Sequence, residues 1–173
     1  MQVDIGNNNN NNNNNKDIKK NSVTKTIIYD SFYSNKNDWA IADGDKAKLE
    51  IKSSKYYFEY TGDKGWTTSK SFDFDSTRDY KVEVSIQKIS GIKNNGFGLV
   101  FGRLDGDNQH QFLINALGSY SIDKYDEGKL NTLVEWTKSS SIKKENYSTN
   151  ILKIEKAPTF PGCEEGDKNC PRI

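Results

Sequence analysis

The sequence predicts an all-β protein, an antiparallel β-sandwich or jelly roll. Three observations predict it. Apolar residues recur at every second position in several short runs, the runs are separated by Gly/Asn/Asp turns, and no stretch has the 3.6-residue period of an amphipathic helix. The clearest run puts Tyr80, Val82, Val84 and Ile86 on one face of an extended chain and Lys81, Glu83, Ser85 and Gln87 on the other. A helix would scatter those apolar groups around its axis, whereas a half-buried strand gathers them on one side.

The other elements follow in order. Asn7 to Asn15 is an unbroken Asn tract, followed by the polar Lys16 to Asn21. Such composition buries nothing, so residues 1–23 are expected to form a disordered arm. The sandwich is expected over 24–156, opening with the run Thr24 to Phe32. Asn35 to Asp38 turns the chain ahead of Trp39, Leu49 and Ile51 share a strand face, and Tyr56 to Tyr60 is another strand. Thr61 to Gly65 is a turn, Trp66 opens a strand, and Ser71 to Asp75 alternates again. Gly91 to Asn95 leads into a strand with Phe97, Leu99 and Phe101 on one face. Gly98, Val100 and Gly102 on its other face are small enough for a backbone or ligand to approach closely. Strands ending at Ile114 and Tyr125 come next. Asp126 to Lys129 is a tight hairpin, Leu130 to Trp136 returns, Lys138 to Ile142 is a loop, and Asn150 to Glu155 is one more strand. There is no internal repeat.

Composition narrows the function classes. Net charge is +1, from 25 basic and 24 acidic residues interspersed along the chain, which argues against nucleic acid or an anionic membrane as partner. Aromatics at 12% favour sheet over helix. No apolar run is long enough to span a bilayer. Met1 to Gly6 lacks the charged start and apolar core of a signal peptide, which leaves both a removed leader and a cytoplasmic location open. The two cysteines, Cys163 and Cys170, form a local bridge in an oxidising compartment or stay free. Their spacing is a poor zinc signal with His110 so far away.

Candidate chemistry is sparse. A glycosidase needs two carboxylates about 5–10 Å apart across a cleft, and Glu83 and Glu135 each stand without a partner at alternate positions. No catalytic residue is therefore assigned. Asp105, Asp107 and Asn108 supply oxygens suited to calcium, but the same residue types build turns needing positive φ, and the turn is the favoured reading. Trp39, Trp66 and Trp136, with Tyr56, Tyr57, Tyr60, Tyr120 and Tyr125, are candidate platforms for sugar rings, and Trp66 and Tyr125 are the best placed. His110 shares parity with Phe112 and Ile114, which puts it near a sheet end or a site edge. Arg103 is suited to hydrogen-bonding a hydroxyl or carboxylate. Trp66, Arg103, His110 and Tyr125 are thus the candidate ligand contacts.

The segments Tyr80 to Ile86, Gly96 to Gly102, Asp105, Asn108, Phe112 to Asn115, Gly118 to Ile122 and Leu133 to Lys138 resemble the concanavalin A-like lectin/glucanase superfamily. They look most like laminin-G-type bacterial modules such as those of Bacteroidota, over Ile27 to Lys156. The resemblance implies a sandwich that binds a glycan or protein ligand, without catalysis, through a sheet face or loop tips. It also implies a periplasmic or cell-surface setting. The Glu-x-Asp-x-x-Glu strand of the family's hydrolases is absent, so a glycoside hydrolase is the weakest reading. The chain also departs from the family after Ile154, where a Pro- and Cys-containing tail over 157–173 replaces the closing hairpin and is expected to leave a sheet edge unpaired. Glu155 to Glu164 with Cys170 is similar to the opening of the C-terminal domain of TonB-type energy transducers, without the elements that follow, so that activity does not carry over. A structural or interaction module of an envelope transducer or signalling protein is the alternative to a binding module.

Overall fold

The computed structural model describes residues 2–7, 23–73, 75 and 78–156. Among them are eleven strands and no helix: β1 (Gln2–Asn7), β2 (Val23–Tyr29), β3 (Ala42–Asp43), β4 (Ala47–Lys52), β5 (Lys55–Tyr60), β6 (Tyr80–Gln87), β7 (Phe97–Phe101), β8 (Gln109–Ile114), β9 (Ser119–Asp126), β10 (Lys129–Lys138) and β11 (Thr149–Lys156). They form three antiparallel sheets, ordered β11-β6-β1-β2, β10-β9-β8-β7 and β3-β4-β5. No helix of the described residues is long and apolar enough to cross a membrane.

Parity decides the core. Ile28, Val82 and Leu152 of the β11-β6-β1-β2 sheet meet Leu99 and Ile114 of the β10-β9-β8-β7 sheet in one apolar cluster. Tyr80, Val84, Ile86, Phe97, Phe112, Tyr120 and Ile154 pack around it. The alternation read from Tyr80 to Ile86 is therefore the packing face of β6. On its other face Lys81 pairs with Glu83 at 3.4 Å, and the register sets Lys153 and Glu155 of β11 opposite them. Between the two sheets a cavity of about 640 Å³ opens where the loop at Ile142 meets Phe112, Ile114, Tyr120 and Leu152.

Two expectations change. Gln2–Asn7 is a strand between β2 and β6, inside the stretch read as a disordered arm, while the rest of the Asn tract and the 157–173 tail lie outside the described residues. The strand expected to open at Trp66 and the one expected from Ser71 are absent from the described residues of that stretch. Phe72 instead packs against the core cluster and meets Trp39 edge-on at 6.4 Å between ring centroids. Among the described strands β11 pairs only with β6, and the tail expected to leave its edge unpaired lies outside the described residues.

Asp30 joins the small sheet to the rest. It follows β2 directly and is 2% exposed. Its carboxylate accepts hydrogen bonds from the Phe32 backbone N–H, the Asn37 side chain and the Trp39 indole, each at 2.7 Å. Phe32 takes a positive φ of 56°, which ends the extended chain at this point. The anchored Trp39 packs on Phe32 and Tyr56, both at 5.5 Å, and so fastens β5 to the end of β2. Burial alone pushes the Asp30 carboxyl up, but the bonds from Asn37, Phe32 and Trp39 and the charge of Lys36 outweigh it and hold the group below its ordinary value. The linkage sign follows. A lowered folded-state pKa gives stability that is present above the unfolded value of about 3.9 and is lost as pH falls through the folded value. Asp30→Asn presents an amide N–H₂ where three donors converge. It is expected to lower unfolding free energy by about 1–3 kcal/mol at pH 7, and the deficit should shrink below about pH 4, as read by urea denaturation across pH.

Candidate ligand-binding face

The β8–β9 register sorts the β10-β9-β8-β7 sheet into two faces. Phe97, Leu99, Phe112, Ile114 and Tyr120 point to the core. The opposite face carries four cross-strand rows. Gln109 lies beside Tyr125, which lies beside Leu130. Val100, Gln111, Asp123 and Thr132 run across all four strands. Gly98, Leu113 and Ser121 form the third row, and Ser119 and Lys138 the fourth. Gly98 is where the close approach expected from the sequence occurs, since a side chain there would collide with the Phe112 carbonyl.

Trp136 lies over this face. A methyl group added at Gly96 would come within 3.2 Å of both the Trp136 ring and the Leu113 side chain. Trp136 belongs to β10, Leu113 to β8, and β9 runs between them. The indole therefore reaches across β9. The residues of β9 that share this face there are small, Ser119 and Ser121, 6% and 2% exposed, so the ring can lie along the sheet. Trp136 itself stays 45% exposed.

Beside the indole the floor is polar. Asp123 is buried, and accepts hydrogen bonds from Thr132 Oγ1 at 2.9 Å and Ser121 Oγ at 3.3 Å. Gln109 is 8% exposed, and its Oε1 has no hydrogen-bond partner among the described residues. A buried acceptor left unmatched costs about 1–3 kcal/mol, and this oxygen lies beneath the face with no surface of its own exposed. Aromatic surface, adjacent acceptors and a flat small-residue floor are what a sugar ring needs: C–H groups against the π face and hydroxyls on the acceptors.

The structure separates the residues expected to contact ligand. Tyr125 is on this face. His110 is on the opposite side of the same sheet, stacked on Phe101 at 5.2 Å, with Nδ1 buried and without a hydrogen-bond partner among the described residues. Arg103 donates to the Asp105 carbonyl at 3.1 Å and to Ser69 Oγ at 2.7 Å. Trp66 packs on Phe58 and Tyr60 of the three-stranded sheet, at 5.2 and 5.6 Å. Gln109, Gln111, Asp123 and Thr132 were not singled out by sequence. Their signal was the alternation of Ser121 and Asp123 with Tyr120 and Ile122, which defines two faces without naming the solvent one. Glu83 and Glu135 sit on different sheets.

Asp105, Asp107 and Asn108 form a closed turn. Asp105 Oδ1 accepts from the Asp107 N–H at 2.8 Å, and Asn108 Nδ2 donates to both Asp105 oxygens at 3.0 and 3.1 Å. The Asn108 side chain, the Asp107 amide and the Arg103 charge hold the Asp105 carboxyl below its ordinary value. Among the described residues no group of three or more His, Cys, Asp or Glu is placed to hold a metal ion. Comparison with family models, curated proteins and solved structures gives no match for this chain.

The loop geometry generates a direct check. Asp105→Ala is expected to lower the melting temperature equally in calcium and in chelator, because the carboxylate serves the turn. A wild-type melting temperature that falls on chelation would assign the loop to calcium instead.

Proposed function

We propose that this chain is a non-catalytic carbohydrate-binding module of the concanavalin A-like type, with its ligand on the outer face of the β10-β9-β8-β7 sheet. The observation that carries the reading is the Trp136 indole, laid along the sheet over Ser119 and Ser121 beside the Gln111–Asp123–Thr132 row. The ring supplies the stacking surface and the row supplies hydrogen-bond acceptors. The resemblance of Gly96 to Gly102 and Leu133 to Lys138 to concanavalin A-like modules supports the same assignment.

A glycan array followed by calorimetry on purified protein tests it. Saturable binding to at least one oligosaccharide is expected. Trp136→Ala should weaken that binding at least about tenfold, or about 1.4 kcal/mol, while Trp66→Ala changes it much less. Silence across the array, or binding that survives loss of the Trp136 ring, overturns the reading.

A further inference from the structure

We propose that the cavity between the two four-stranded sheets takes the aliphatic tail of a single-chain carboxylate, with the carboxylate held at the mouth by Lys143. Phe112, Ile114 and Tyr120 reach it from the core side of β8 and β9, away from the outer face, so the inference is independent of the carbohydrate reading. The cavity measures about 640 Å³, within the roughly 300–1,000 Å³ of small-molecule pockets. Ile142 and Leu152 complete its apolar wall. Ile114 and Leu152 are 1% and 3% exposed, and the Phe112 and Tyr120 rings meet edge-on at 6.3 Å. Such a wall attracts apolar surface without directing it, which suits a flexible alkyl chain.

The polar groups around the cavity are largely engaged with one another. Buried Asn150 closes its side-chain amide on the Lys143 backbone, accepting from the N–H at 2.9 Å and donating to the carbonyl at 3.0 Å. Ser139 Oγ accepts from the Ser141 N–H at 3.3 Å, and Thr149 Oγ1 accepts from Gln87 Nε2 at 2.7 Å. Lys143 is the one charged residue of the lining, which contains no Asp or Glu. Its ammonium has no ion-pair partner among the described residues. Asn150 thus fixes the backbone of the residue whose charge is unmatched, and the mouth is set before a ligand arrives. A carboxylate there gains a charge-assisted hydrogen bond, a neutral head group gains less, and an ammonium head group meets like charge.

The test uses the whole chain, calorimetry at low salt and neutral pH, and three ten-carbon probes below their micellar range: decanoate, decanol and decyltrimethylammonium. Saturable binding of one decanoate per chain is expected, about fivefold tighter than decanol, with the ammonium weakest. Octanoate is expected to bind at least about fivefold more weakly than decanoate, because two methylenes fewer reach the apolar wall. Lys143→Gln should erase the preference for decanoate over decanol and leave decanol binding unchanged. Ser141→Trp, at an exposed position of the mouth, should weaken all three probes at least about tenfold at an unaltered melting temperature. Should the tryptophan chain fail to fold, Lys143→Glu takes its place and is expected to reverse the order of decanoate and decyltrimethylammonium. Absence of saturable binding, binding that Ser141→Trp leaves intact, or an order that Lys143→Glu leaves unchanged overturns the site. Decanoate bound no tighter than decanol, or a preference that survives Lys143→Gln, overturns the carboxylate. The glycan array reads the other side of the sheet, so its result stands in either case.

Discussion

The constraint on which the architecture depends is the pairing of β8 with β9. Ile114 beside Tyr120 and Phe112 beside Ile122 place apolar groups toward the second layer. The same register places Gln111 beside Asp123 and Leu113 beside Ser121 on the far side. Side-chain direction has a period of two, so a slip of one residue would exchange the faces. With β8 held in place, it would turn the Asp123 carboxylate of β9 toward the apolar cluster and Tyr120 and Ile122 away from it. Core and candidate site are two sides of one hydrogen-bond ladder, and neither is adjustable without the other.

Much of this was legible in the sequence because parity is a local property. The alternation at Tyr80 to Ile86, the small face of Gly98 and the hairpin at Glu127 and Gly128 each correspond to an observed element. Glu127 and Gly128 take φ values of 51° and 75°, as a two-residue hairpin turn with positive φ at both positions requires. The strand at Gln2–Asn7 was not legible, because a ladder is made by backbone groups and a polar flank hides it. Phe72 misled for the opposite reason. Its alternation with polar neighbours reflects a ring filling the gap beside Trp39, with no partner strand among the described residues.

The candidate face was the least legible part. Its polar residues come from three strands and become neighbours only through cross-strand register. Trp136 gains its position from residues that say nothing about binding on their own: a glycine at 96 and serines at 119 and 121 that leave room for an indole. The Gly-flanked loop favoured Trp66, whose ring is occupied by Tyr60 and Phe58.

The turn at Asp105 has a further consequence. Asn108 Oδ1 accepts from the Glu127 N–H at 3.1 Å, and the Asp107 carbonyl accepts from the Gly128 N–H at 3.0 Å. Two successive hairpin ends are thereby buckled together at the rim of the sheet, next to Gln109 and Tyr125. These bonds hold the torsions of both loops, so under the proposed binding role the entropic penalty of capture at this rim is reduced.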